Sequence, residues 1–283
     1  MAENRRCGTD APSTGDRARI AGLESEFLAN TRVAEADFAL TIQVAFIHVV
    51  DGATGKITQE QREEQIAVMN KAYQSIGIDF KYNENDVVEI DNASFFTMGH
   101  KSLRERECKS QNQAIEPKKG LNFYTAGPAG GILGWATFPW ELEGDPKMDG
   151  VVMLHSTLPG GASANFNLGL TAVHEVGHWL GLYHTFQDGC SGDGDAVADT
   201  PSHSGPNFGK PADAGQPHNL CPSEPANALC PIHNFMNYVD DDTMSEFTSG
   251  QKVRILAQIG MFRSDLVGAG VVRESFRTNE VTW

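Results

Sequence analysis

The segment from residue 174 to 184, His174-Glu175-Val176-Gly177-His178-Trp179-Leu180-Gly181-Leu182-Tyr183-His184, constrains this chain more than any other. Histidines four residues apart lie on one face of a helix, so both imidazoles can reach the same ion. Gly181 permits a left-handed turn that a residue with a β-carbon resists, and the chain can then swing His184 back as a third ligand. Zn²⁺ favours nitrogen ligands at about 2.0–2.1 Å, and a catalytic zinc takes three protein ligands and leaves its fourth position to water. Glu175, beside the first histidine, is placed to take a proton from that water, whose pKa the metal lowers towards about 7. The hydroxide attacks an amide carbonyl, and Glu175 returns the proton to the leaving amine. The pattern predicts a zinc hydrolase with His174, His178 and His184 as ligands and Glu175 as general base.

The rest of the composition bounds where such chemistry operates. With 283 residues, 40% hydrophobic and 21% charged, the chain can bury a core as one large domain or two modest ones. Its formal net charge of −15 repels phosphate backbones, which argues against nucleic-acid partners. The best apolar run, Ala39 to Val50, is interrupted by Thr41, Gln43 and His48, so no membrane span is expected. Met1 to Arg6 carries basic residues without an apolar stretch behind them and does not read as a secretory signal. Cys7, Cys108, Cys190, Cys221 and Cys230 are sparse, and the last three lie in a Gly-, Pro- and Asp-rich stretch that a disulfide would restrain. That usage points to an extracytoplasmic, secreted protein.

Along the chain, residues 1–35 read as an arm with one short amphipathic piece from Ala18 to Ala29. Thr41 to Val50 reads as a central strand, and Thr58 opens a helix through a capping box with Gln61 that Gly77 ends. Ile78–Tyr82, Val87–Ile90, Leu121–Thr125 and Val151–His155 read as further strands, and Ser94–Glu107 and Asn167–Gly181 as helices. Gly130 to Ala136 is a glycine-spaced strand suited to an edge where another backbone comes close. Tyr183 to Ile232 lacks regularity and must be functional, cross-linked or ion-bound. Thr248 and Gln251 form a second capping box opening a last helix. The order predicts an α+β fold with a cleft between its halves.

Downstream, Asn234-Phe235-Met236-Asn237-Tyr238 resembles the methionine-bearing turn of metzincin peptidases, a likeness that implies Met236 as the apolar floor beneath the metal, and the Tyr238 hydroxyl two residues on can steady an oxyanion. His48, His100, His155, His203, His218 and His233 read as structural or exposed, and Trp179 as core.

With these blocks the chain resembles the pappalysin family of metzincin zinc peptidases. The likeness spans nearly the whole chain and rests on Arg6-Cys7-Gly8-Thr9, Gly130–Pro139, Val151–Gly161, the zinc motif, Gly194–Pro201 and Pro231–Asp241. It implies a zincin-like fold: an upper subdomain with a twisted mixed sheet and helices, an irregular lower subdomain, and an active-site cleft between them. It further implies a pro-segment over 1–31 and a catalytic domain over 32–283, divided at about residue 181. In that family a pro-segment cysteine occupies the zinc's open position, a role that falls to Cys7, with a disulfide to Cys108 as the alternative. The Gly-Asp-x-Val-x-Asp-Thr-Pro block resembles a calcium loop, with Asp195, Val197 and Thr200 as Ca²⁺ ligands and Asp193 and Asp199 nearby. Gly131, Leu133 and Trp135 fall on the rim where an extended substrate pairs as an added strand. Asp241, or one of its neighbours Asp240 and Asp242, matches the acid of a pocket selecting Arg or Lys just after the scissile bond, and cleavage at Thr31–Arg32 would then free the arm. Cys190 and Cys221 match one family bridge; a second bridge lacks both ends, Thr243 standing where a cysteine is expected, and Cys190–Cys230 stays open.

The expected protein is therefore a latent zinc endopeptidase acting on proteins or peptides as a monomer. Two other readings share the site: a zinc amidase for small molecules, and a catalytically idle metzincin-fold binding protein. The glycine-rich rim favours an extended substrate, and the intact Glu175 argues against the idle form.

Overall fold

The computed structural model describes residues 7–33, 38–211, 219–267 and 276–278; Arg6 of the arm motif and His218 lie outside them. The elements in chain order are α1 (Thr14–Asn30), β1 (Thr31–Val33), β2 (Leu40–Val50), α2 (Gln59–Tyr73), β3 (Ile78–Tyr82), β4 (Val88–Asp91), α3 (Ala93–Phe96) and α4 (Leu103–Gln111). There follow β5 (Gly120–Ala126), β6 (Gly134–Ala136), β7 (Val151–Leu154), α5 (Leu170–Trp179), β8 (Phe208–Gly209), β9 (Tyr238–Val239), α6 (Ser249–Phe262) and β10 (Phe276–Thr278).

The β-branched and aromatic run of β2 becomes the centre of a six-stranded sheet ordered β3-β2-β5-β7-β6, with β4 also beside β2. β3, β4 and β5 run parallel to β2, β7 runs parallel to β5, and β6 is antiparallel to β7. A parallel centre is buried on both faces, and alternation along β2 sorts its side chains accordingly. Val44 and Phe46 enter a core with Tyr73, Phe123, Trp179 and Ile255, whereas Ile47 and Val49 face Phe96, Tyr124, Trp135 and Val152. The result is the expected α+β architecture, mixed sheet above and an irregular half below.

Both capping boxes form, Thr58 with Gln61 and Thr248 with Gln251. Four boundaries differ from expectation, each for a local backbone reason. The arm's helix is longer than Ala18–Ala29, because Ser13 caps it at Thr14, and Ile20 and Glu24 bury against the body. Residues 94–107 divide into α3 and α4, each with its own cap, Asn92 and Ser102, and Lys101 lies between them at φ 56°. In the 130–136 segment only Gly134–Ala136 is strand, since Gly130 and Gly131 turn with φ of 81° and 75°. α5 starts at Leu170 rather than Asn167, and Leu168 is left exposed.

From Tyr183 to Thr248 the only strands among the described residues are β8 and β9, which pair with each other. Cys190 and Cys221 form a disulfide across this half; Cys7, Cys108 and Cys230 are free and buried. Cys190 is thus paired with Cys221 rather than with Cys230, and Cys7 is not joined to Cys108. Above it, Arg263 ties the end of α5 in place: its guanidinium stacks 3.8 Å from the Trp179 ring and pairs with Asp149 at 2.7 Å, while Trp179 Nε1 donates to the same carboxylate at 3.0 Å.

Candidate active site

α5 carries His174, Glu175 and His178 to the floor of the cleft, all buried. The helix ends where Gly181 adopts φ 101°, and a Cβ there would also come within 2.4 Å of Gln258 Cγ. Leu182 N donates back to the Gly177 carbonyl at 2.9 Å, so the chain reverses and returns His184 beside the helix. His174 Nδ1 lies 2.7 Å from the Phe235 carbonyl and His178 Nδ1 2.8 Å from the Leu182 carbonyl. Each therefore donates from Nδ1 and turns an unprotonated Nε2 inward. Burial holds both rings neutral, pushing His174 down to about 4 and His178 well below the usual imidazole range.

Those inward nitrogens are what a metal requires. His174 Nε2 is buried with no hydrogen-bond partner, and His178 Nε2 lies 3.0 Å from His184 Nε2. Two nitrogens about 2.0–2.1 Å from one tetrahedral ion sit roughly 3.3 Å apart. Ligand atoms of Cys7, His174, His178 and His184 fall within 4.8 Å of one another, the only such grouping of His, Cys, Asp and Glu among the described residues. The donor set, three imidazoles and a thiol, suits zinc.

Glu175 is 1% exposed, and burial pushes its carboxyl up to about 8. Two groups of the arm hold it. Cys7 Sγ donates to Glu175 Oε2 at 3.4 Å and Thr9 Oγ1 donates to the same oxygen at 3.0 Å. The arm reaches this point by pairing with β6: Cys7 bridges Gly134 in parallel, Gly8 N donates to the Gly134 carbonyl at 2.7 Å, and Ala136 N donates to Thr9 Oγ1 at 2.9 Å. Burial first, and the neighbouring Glu175 second, push the Cys7 thiol up. Farther along, α1 docks on α6 through Glu24, whose carboxylate meets Arg254 at 2.6 Å; Arg254 Nε also donates to the Gly181 carbonyl at 3.0 Å. The arm thus touches the base directly and, through Arg254, is linked to the turn that delivers the third histidine.

Beneath the helix, Met236 is fully buried, and a Cβ at Gly177 would lie 2.5 Å from its sulfur, so glycine inside the motif makes room for the methionine floor. Asn234 Oδ1 accepts from Met236 N at 2.9 Å and exchanges two amide hydrogen bonds with Gln251. Asn237 is buried, and its amide bonds Asn207, Pro231 and Tyr238 N, fixing the backbone from which the Tyr238 hydroxyl reaches 3.2 Å from His184 Nε2. Asn234, Asn237 and Thr9 escaped sequence reasoning although each stands inside a quoted block; a buried amide's partners are long-range and leave no local signal.

Leu133, Leu170, Thr171, Tyr238, Asp241 and Met244 line a pocket beside the cluster. Asp241 is 2% exposed and its Oδ2 accepts from Leu168 N at 2.9 Å. Asp242, by contrast, pairs outward with Lys210. On the rim, Gly131 lies in the turn rather than in the strand. Trp135 differs from expectation in another way: its side chain is fully buried and donates to Glu105 at 2.6 Å, which leaves only its backbone on β6. In the 193–200 loop, Thr200 Oγ1 donates to Asp195 at 2.7 Å and lies 2.8 Å from the Val197 carbonyl, bringing those three together. Asp193 is exposed, and Asp199 points elsewhere, accepting from Thr248 and from Gly250 N at the start of α6.

Such a fold and site define a metal-dependent hydrolase. Residues 111–260 match the peptidase M43 family, described as pregnancy-associated plasma protein-A. An extracellular metalloprotease of Sordaria macrospora is 38% identical over 269 residues, 92% of this chain and 89% of that one. Tannerella forsythia promirolysin, solved as a mutant, superposes with a TM-score of 0.79 at 25% identity, covering 93% of this chain and 97% of that one. Mature mirolysin from the same organism, in complex with a cleaved peptide, gives 0.69 at 26% identity, covering 82% and 99%. The chain belongs to the peptidase M43, or pappalysin, family. It is a zinc metalloprotease of the extracellular type, and no helix among the described residues is long and apolar enough to cross a membrane.

Proposed function

We propose that the chain is a latent endopeptidase, acting as a monomer, that cleaves proteins before Arg or Lys and is activated by loss of its arm. Residues 1–31 are the pro-segment and 32–283 the catalytic domain, upper subdomain to about 181 and lower subdomain beyond. What supports the reading most is the extended Cys7–Thr9 segment lying on β6 beside Glu175, the course a peptide backbone can take and a small amide does not need. The likeness to promirolysin covers 93% of the chain and that to mature mirolysin 82%, a difference of about 31 residues in 283, which suits an arm of this length.

His174, His178 and His184, with Cys7 in the latent form, would hold a zinc ion, which when bound would supply a Lewis acid for the scissile carbonyl and for water. Glu175, released from Cys7 and Thr9, takes the proton and delivers it to the leaving nitrogen. Tyr238 donates its hydroxyl to the oxyanion that develops beside His184. Gly134 and Ala136 offer a carbonyl and an N–H to the substrate backbone once the arm vacates them. Asp241 faces the guanidinium or ammonium of the residue after the scissile bond.

Mapping cleavage sites in a peptide library tests this reading. The enzyme freed of residues 1–31 is expected to cut before Arg and Lys, and Asp241→Asn to lower kcat/KM on those peptides by about 10- to 100-fold. Cleavage by the arm-free enzyme without regard to the following residue would overturn the specificity, and its inertness towards every peptide would overturn the peptidase.

A structural Ca²⁺ at Asp195, Val197 and Thr200 is part of the same proposal. Burial pushes the Asp195 carboxyl up to about 7, so its ionised form gains from a cation. Calcium at about 100 times its Kd should raise Tm by about 5–10 °C over a chelator selective for calcium, read by scanning calorimetry. An unchanged Tm would remove the ion from the account.

A further inference from the structure

We propose that Asn92 is an N-glycosylation site, carrying an oligosaccharide on its side-chain amide nitrogen at the sheet edge remote from the cleft. Asn92-Ala93-Ser94 is the only Asn-x-Ser/Thr triplet in the 283 residues. In a protein of extracellular type such a triplet marks a carbohydrate acceptor, provided the fold leaves room for the sugar on the amide nitrogen.

The fold meets that condition in detail. Asn92 follows β4 and caps α3: its Oδ1 accepts from the backbone N–H groups of Ser94 and Phe95, both at 3.0 Å. The amide oxygen is therefore turned into the first turn of the helix, and Nδ2, on the opposite side of the planar amide, makes no hydrogen bond to any described residue. Asp91, Ala93 and Ser94 are exposed around it, while Phe96 anchors the segment in the core. Substituting Nδ2 leaves the carbonyl oxygen intact, so the cap and the sugar coexist on one side chain.

The location also gives the carbohydrate a task. β4 pairs with β2 and with no other described strand, so one edge of β4 is unpaired. An open edge is a template for pairing with other chains, and a hydrated oligosaccharide on the residue after it covers that template. β6, which borders the cleft, lies at the other end of the order, four strand spacings or roughly 19 Å away. The sugar leaves the active site clear.

The reaction needs a lipid pyrophosphate-linked oligosaccharide as donor, encountered in the secretory pathway while the chain is still extended. Asn92 Nδ2 bonds to the anomeric carbon, the bond from that carbon to the pyrophosphate oxygen breaks, and the lipid pyrophosphate leaves. One amide proton is released and nothing is oxidised or reduced.

The test is to secrete the full chain from yeast behind a signal peptide. Peptide N-glycosidase in heavy-oxygen water is expected to collapse a heterogeneous intact mass to one value and to leave labelled aspartate at position 92 in most molecules. Ser94→Ala keeps the Asn92 cap and should be secreted without sugar at unchanged proteolytic activity. Unmodified Asn92 in the secreted native protein, or sugar that persists on the Ser94→Ala chain, would overturn the proposal.

Discussion

Glu175→Ala is expected to lower kcat/KM on a protein substrate by about 10²–10⁴-fold, the range a positioned general base contributes. The residue is buried on α5 between two metal-ligating histidines, and a Cβ at Gly134 would come within 2.9 Å of its Cγ, so the rim is closed down on the carboxylate. The grouping of Cys7, His174, His178 and His184 itself contains no carboxylate. Glu175→Gln separates chemistry from packing, since the amide fills the same space but cannot take the proton. Both variants should keep the zinc, because the three histidines are oriented by the Phe235 and Leu182 carbonyls and by the Gly181 turn rather than by Glu175. Zinc content by mass spectrometry beside initial rates on a fluorogenic peptide reads both quantities. Full activity in either variant would contradict the mechanism.

The second large effect concerns the arm. A chain bearing residues 1–31 is expected to be nearly inert, and Cys7→Ser to raise its initial activity about 100-fold before any cleavage, an effect equivalent to about 2.8 kcal/mol of lost arm closure. Serine keeps the size of the side chain but is a far poorer zinc ligand than a thiolate. Thr9→Val should give a smaller rise, about 10-fold, because it removes the hydrogen bond to Glu175 and the acceptor for Ala136 N while keeping the shape. Initial rates taken before arm cleavage, followed on gels, separate release of the arm from its removal. If Cys7→Ser stays as inert as the native chain, the thiol is not what closes the site.

Much of this was legible beforehand because the informative signals are local. Histidines at positions 174 and 178 share a helical face whatever the rest of the chain does, and capping boxes at Thr58 and Thr248 are decided within one turn. The run Leu40–Val50 could hardly be anything but a central strand. What stayed hidden depends on partners far along the chain. The burial of Trp135 is decided by Glu105, 30 residues away, and Asp199 is drawn from the proposed calcium loop by Thr248, 49 residues on. Thr9 lies 166 residues from Glu175, and no spacing rule could have linked them. Glycines misled where they were read by density: Gly130 and Gly131 form a turn ahead of the rim strand, not the strand itself.

The most direct test of a zinc peptidase centred on His174, His178 and His184 is a joint titration of metal content and proteolysis on the mature enzyme. One zinc per chain is predicted. Activity should fall in proportion to zinc withdrawn by a chelator, return with one equivalent of zinc, and fail to return in His178→Ala. Proteolysis that persists undiminished after the zinc is gone would contradict the account.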